Sequence, residues 1–214
     1  MTRKTFILEI LLAAAALATI AIAYPRLPPS IPVHWDLAGH PNRFGPPWAL
    51  FLLGPGVMAL IILLTWLLPG LSPKNFQIEA FRATYGQIML MVFGLMAYIS
   101  ALITWSALGH ALDTGRDLIG GVCLLLALMG NVMGKVRRNF FIGIRTPWTL
   151  ANERVWNATH RFAAKTFVAG GLLGLVLAVA GLQPWPTYVL LAGALAPVLY
   201  SLVYYKQLQR RGEL

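Results

Sequence analysis

Apolar residues in this chain gather into six long runs separated by short polar stretches: Phe6–Ala23, Trp48–Leu68, Tyr85–Leu108, Leu118–Gly134, Phe162–Leu182 and Thr187–Tyr205. A bilayer core about 30 Å thick takes roughly 20 helical residues at 1.5 Å each, so each run predicts a membrane-spanning helix. The third is the clearest, uncharged from Tyr85 to His110, and the fourth is short. Lys165, near the start of the fifth, has a side chain long enough to reach the interface. Gly54-Pro55-Gly56 and Pro197 predict kinks in the second and sixth runs, not breaks. The expected fold is an all-α integral membrane protein of six spans.

Composition supports this class. Hydrophobic residues make up 58% of the 214 positions and charged residues 11%, with a mean hydropathy of +0.69. A soluble domain could not hide so much apolar surface behind so few charges, which argues against a soluble enzyme, a disordered tail or a disulfide scaffold. The one cysteine, Cys123, lies within an apolar run and reads as a small buried hydrophobe.

Charge then sets an orientation. The balance of 17 Lys and Arg against 7 Asp and Glu is +10. With the N-terminus inside, 14 of the 17 cations fall on the inner side, leaving Arg26, Arg43 and Arg116 outside. Retention of cations in the cytoplasm predicts both termini inside, and it accounts for the high charge without any nucleic-acid partner. A competing pattern exists at the start, where Arg3, Lys4 and Ala21-Ile22-Ala23 resemble a cleavable signal peptide. Cleavage would leave an odd number of spans, and the apolar run is longer than such peptides carry.

Two units follow: residues 1–68, two helices with an outer loop at 24–47, and residues 69–214, four helices with an inner loop at 135–161. Gly130-x-x-x-Gly134 and Gly170-x-x-x-Gly174 have the spacing that lets helix backbones approach within one chain, or between copies. Glu9, early in the first span, reads as a snorkelled or paired carboxylate.

The outer loop holds seven of the fourteen prolines and predicts a stiff extended stretch over Leu27–Trp35. Turns are expected at Asp36–Gly39 and at Asn42-Arg43-Phe44-Gly45, giving a compact lid. His34, Asp36 and His40 are weak candidates for a metal, since their spacing matches no strong ligand motif. The plainer expectation is that His34 and Trp35 fasten the lid to the helix ends.

In the inner loop, Pro147 biases Thr146 away from helix, and Thr149 or Asn152 can cap a helix leading into span five. Glu153, Trp156 and His160 follow at i, i+3 and i+7, predicting one shared face. The apolar side of this segment predicts an interfacial helix, with Trp148 and Trp156 as headgroup-level anchors. Thr146-Pro147 could turn the chain so that Arg145 meets Glu153. There is no serine-hydrolase elbow, P-loop or paired intramembrane aspartate, and nothing calls for a cofactor.

The run from Leu27-Pro28 through His34-Trp35-Asp36 to Asn42-Arg43-Phe44 resembles a membrane domain of unknown function common in bacteria. The run Asn139, Gly143-Ile144-Arg145-Thr146-Pro147-Trp148-Thr149-Leu150, Glu153, Trp156 and His160 resembles the signature of the SdpI family. Asn42 and Ala151 depart from the residues usual there. The resemblance implies a bacterial plasma-membrane protein of toxin immunity or signalling. It implies a peptide toxin outside, a regulatory protein inside and membrane lipid as partners. Its motif positions are Asn139, Gly143, Arg145, Thr146, Pro147, Trp148, Glu153, Trp156 and His160, together with His34, Trp35, Asp36 and Arg43 outside. The alternatives are a small transporter or channel, for which Glu9, Asn131 and Lys165 are the candidate polar residues, and a metal-dependent membrane enzyme. Oligomeric state is not legible.

Overall fold

A computed structural model describes residues 3–67 and 81–214. The end of the second run at Leu68, the boundary between the two units and Lys74 lie outside the described residues. The elements are α1 (Arg3–Ala23), β1 (Ile31–Trp35), β2 (Pro41–Gly45), α2 (Ala49–Phe51), α3 (Val57–Leu67), α4 (Arg82–Ala107), α5 (Thr114–Met133), α6 (Pro147–Ala151), α7 (Glu153–Val179) and α8 (Trp185–Arg210). A π-helical stretch, Leu52–Gly56, joins α2 to α3, so Ala49–Leu67 is one span. Six helices are long and apolar enough to cross a membrane. Large apolar side chains such as Ile22, Leu60, Val179 and Leu199 stand exposed on them, as a lipid-facing surface requires.

Proline acts differently in the two spans where kinks are expected. Pro55 lies in the π-helical stretch, where the widened turn absorbs its missing N–H, whereas α8 runs through Pro197 as one helix. Small residues hold the second half of the bundle together. A Cβ added at Gly171 would stand 2.5 Å from the Ala127 nitrogen, and one at Gly130 would stand 2.7 Å from the Val168 nitrogen. These glycines bring α5 and α7 into backbone contact, and Gly170 meets Gly193 of α8 in the same way. Gly134, the expected partner of Gly130 in its motif, faces open space because α5 has already ended at Met133.

The main core joins both halves. Ala16 and Met58 from α1 and α3, Phe93 from α4, Met133 and Val136 from α5 and its exit, and Trp156 and Phe167 from α7 form one buried cluster. Glu9 is drawn into the interior. Its exposure is 0%, and neither carboxylate oxygen has a hydrogen-bond partner among the described residues. It is therefore neither snorkelled nor paired there, because the face of α1 that carries it is the face packed against α4.

The segment between α1 and α2 folds into an antiparallel hairpin pairing Ile31 with Gly45, Pro32 with Phe44, His34 with Arg43 and Trp35 with Pro41. The turn expected at Asn42–Gly45 is instead strand β2, since pairing to β1 outweighs the local turn preference of Asn and Gly. The turn at Asp36–Gly39 does form: Asp36 Oδ1 accepts the Ala38 and His40 N–H groups, and Gly39 takes φ +87°. Ile31, fully buried with Ile20 and Leu50, roots the hairpin in the helices, and Gly39 rests on the backbone of Gly115 at the start of α5.

Candidate functional site

The outer motif is mostly spent on the hairpin itself. His34 Nδ1 lies 2.6 Å from Asn42 Oδ1, a bond across the two strands and not one to a helix end. His34, Asp36 and Arg43 are exposed and Trp35 is half-buried. Asp36 is occupied by its turn, with His40 Nδ1 4.0 Å from Oδ2. No cluster of three His, Cys, Asp or Glu side chains that could hold a metal forms among the described residues.

The inner motif is far more tightly organised. Asn139 has 0% exposure in the loop between α5 and α6, and its amide group is fully used. Nδ2 donates to the carbonyls of Arg137 (2.7 Å) and Ile142 (3.0 Å), and Oδ1 accepts the N–H groups of Phe141 and Ile142, both at 2.7 Å. Two donors and two acceptors are all that a primary amide has. The chain thus wraps around one side chain, and this wrap leads to Gly143.

Gly143 has φ +112°, and a Cβ there would lie 2.3 Å from His160 Nε2. Glycine meets both demands, backbone and space. The next N–H, that of Ile144, donates to His160 Nε2 at 3.1 Å, while Nδ1 lies 2.8 Å from the Trp156 carbonyl. One nitrogen accepts and the other donates, so the ring is neutral with its proton on Nδ1. The His160 and Trp156 rings stack with centroids 4.0 Å apart. The Trp156 indole N–H donates to the Val136 carbonyl at 2.8 Å. Trp156 is fully buried, so it is a latch within the protein and not a headgroup anchor.

A second latch holds α6. Thr146 and Thr149 form a reciprocal capping box with Pro147 in the first turn, and Thr149 Oγ1 also donates to the Ile144 carbonyl at 2.8 Å. The Trp148 indole N–H donates to Ser201 Oγ on α8, and Thr146 Oγ1 lies 3.3 Å from the same oxygen. Half-buried Trp148 is thus tied to α8 instead of anchoring freely among headgroups. Asn152 then caps α7, accepting the Arg154 and Val155 N–H groups. Helix α7 runs unbroken from Glu153, so the segment expected as an interfacial helix is the first turns of the span itself.

Two motif residues stand apart. Arg145 and Glu153 are exposed, and no ion pair joins them among the described residues. Glu153 opens α7 before the helix enters the packed core, so it stands exposed while Trp156 and His160 are buried. Arg154 finds its carboxylate at Glu213, beyond α8. Asn131 and Lys165 are exposed on α5 and α7, away from the sealed interior that holds Glu9. Three supporting residues escape a reading of the motif as a site: Thr149, Val136 and Ser201. A lone serine at 201 in an apolar span was the available signal for the last, since such hydroxyls seek partners.

Residues 135–205 match the SdpI/YfhL protein family, and residues 11–59 match a domain of unknown function, DUF1648. Immunity protein SdpI of Bacillus subtilis (strain 168) is 30% identical over 174 residues, covering 81% of each chain. No solved structure matches the chain. The latched loop between α5 and α7 and the small-residue contacts of α7 with α8 lie within or beside the matched region, and the relative extends the likeness to most of the sequence. The chain is a multi-pass membrane protein that belongs to the SdpI family.

Proposed function

We propose that the chain is a plasma-membrane immunity protein that protects a bacterium against a peptide toxin and presents its inner loop to a cytoplasmic regulatory protein. Both termini lie in the cytoplasm and the hairpin lies outside, as the uneven split of cations favours. Residues 1–68 carry the outward hairpin and residues 69–214 the inward loop. The protein acts by binding, with no catalytic step and no cofactor.

The observation that carries this reading is the contrast within the inner motif. Seven of its nine residues hold or shape the loop, and Arg145 is left exposed between Ile144 and Thr146, both pinned by hydrogen bonds. A guanidinium held on a rigid corner suits bidentate capture of a partner's carboxylate, a geometry lysine cannot copy. Support also comes from the likeness to an immunity protein over most of the chain. The test is Arg145→Lys in a toxin-sensitive host. Protection should fall sharply while protein level and membrane insertion stay at wild type. Full protection by both Arg145→Lys and Trp148→Ala would make the loop scaffolding and refute the docking role.

A further inference from the structure

A groove of about 510 Å³ is walled by α4 and α7 and floored by α5. Most of its length is apolar, with Met91, Leu95, Leu124, Leu128 and Val179 along it. A Cβ at Gly94 would meet nothing within 4 Å, so the groove is open there. Its polar lining, Tyr98, Arg116 and Asp117, is gathered at the end where α5 begins. That mouth is fixed in shape. Gly121 lets the Tyr98 ring lie against α5, where a Cβ would stand 2.7 Å from it, and the Tyr98 hydroxyl donates to the Asp117 carbonyl at 3.1 Å. Arg116 Nε donates to Asp117 Oδ1 at 3.3 Å and lies 3.9 Å from Asp113 Oδ2. Among the described residues, the two terminal nitrogens of that guanidinium have no partner, and Asp117 Oδ2 accepts no hydrogen bond.

We propose that this groove binds one phospholipid with a primary-ammonium headgroup, of the phosphatidylethanolamine class. Its phosphate sits on the free fork of Arg116, its ammonium on Asp117, and one acyl chain lies along α5 towards Leu128. A guanidinium held through Nε presents both terminal nitrogens to a phosphate, the bidentate geometry that suits it. Two carboxylates beside one guanidinium leave the mouth net negative, which disfavours a purely anionic headgroup and favours one that brings a cation with its phosphate. A primary ammonium can donate hydrogen bonds to Asp117, whereas the quaternary ammonium of choline has no N–H to give. Length fits as well. Asp117 to Leu128 covers eleven steps of α5, roughly 16 Å, and half of a hydrocarbon core about 30 Å thick is roughly 15 Å, the depth of one acyl chain.

The hairpin shares this end of the bundle. Gly39, in its turn, rests on the Gly115 backbone, one residue before the arginine that forms the fork. A bound headgroup therefore lies beside the turn of the outer motif. This inference does not rest on the immunity reading, and only the choice of leaflet rests on the proposed orientation.

The test is native mass spectrometry of the full chain in nanodiscs holding equal parts of phosphatidylethanolamine, phosphatidylglycerol and phosphatidylcholine. Wild type should retain one phosphatidylethanolamine, several-fold over either competitor, and Arg116→Gln should retain at least tenfold less. Asp117→Asn should still hold lipid but lose the preference for ethanolamine over choline. Gly94→Phe, which fills the groove and leaves the mouth intact, should lose several-fold. Arg26→Gln, an exposed cation outside the groove, should retain lipid as wild type does. Equal loss in Arg26→Gln and Arg116→Gln would mean diffuse surface charge and overturn the site. Phosphatidylglycerol retained above phosphatidylethanolamine, or an unchanged preference in Asp117→Asn, would overturn the headgroup assignment. Displacement by millimolar phosphoethanolamine, which has no acyl chain, would mark a site for a soluble ligand and overturn the lipid assignment, as would unchanged retention in Gly94→Phe. If Arg116→Gln does not accumulate, Arg116→Lys, which keeps the charge and loses the fork, decides, with unchanged retention counting against the proposal.

Discussion

Asn139 offers the sharpest test of how the inner loop is held. Its amide makes four hydrogen bonds to the backbone of residues 137–142 with no exposure to solvent. A hydrogen bond of this kind contributes about 0.5–1.5 kcal/mol net, so losing all four in Asn139→Ala costs roughly 2–4 kcal/mol once water reaches the half-buried partners. Asn139→Asp separates the causes. It keeps both acceptor contacts to Phe141 and Ile142, but sets an oxygen against the carbonyls of Arg137 and Ile142 in place of a donor. The aspartate should therefore cost at least as much as the alanine, despite its nearly identical shape. Limited trypsin digestion in detergent reads this directly, since Arg137, Arg138 and Arg145 flank the wrap. At about 1.4 kcal/mol per factor of ten, local opening should rise roughly 30- to 700-fold, and cleavage with it where closing outpaces proteolysis. Wild-type cleavage rates in Asn139→Asp would refute the account of the loop as wrapped around one amide.

Other consequences can be checked in parallel. Gly143→Ala should destabilise the loop by about 2–4 kcal/mol, measured as faster digestion, because a positive φ and a clash with the His160 ring act together. His160→Ala in the same chain should relieve the clash without restoring wild-type resistance. Trp156→Phe keeps a stacked ring but leaves the Val136 carbonyl unpaired, and thermal unfolding in detergent should show a loss of about 1–3 kcal/mol. Gly171→Leu should separate α5 from α7 and abolish accumulation, read by immunoblot of the membrane fraction. For orientation, in a Cys123→Ser background, an impermeant thiol reagent outside should label Ala38→Cys and not Ala151→Cys. The reverse pattern would overturn the proposed topology.

The six spans were legible because length and apolarity alone decide them, and no tertiary contact is needed to see a run such as Tyr85–Leu108. The Asn152 cap was legible for the same local reason, since it acts through its own neighbours, whereas the Thr146 cap of α6 showed only as a residue that Pro147 biases away from helix. What failed locally was decided by distant partners. Asn42–Gly45 has turn chemistry, yet β1 recruits it as a strand. Glu9 looked like a residue that would reach for water or a partner, but packing of α1 on α4 buried it. Spacing aligned Glu153 with Trp156 and His160 but did not show that only the latter two lie deep enough to be buried. The role of Ser201 depends on a tryptophan 53 positions away, which no pattern within α8 displays.

The two latches of the inner loop close over very different spans of chain. Val136 to Trp156 and Ile144 to His160 are contacts across 20 and 16 residues, whereas Thr146 and Trp148 meet Ser201 across 55 and 53. A ribosome adding about 5–20 residues per second delivers Ser201 about 3–11 s after Trp148. The first latch can therefore set while the chain is still being made, as soon as α7 enters the bilayer. The second waits for α8, so a nascent chain holds a wrapped loop with a loose α6 until that helix is made. The clamp on α6 thus reports that α8 has joined the bundle, because Ser201 is what α6 closes upon.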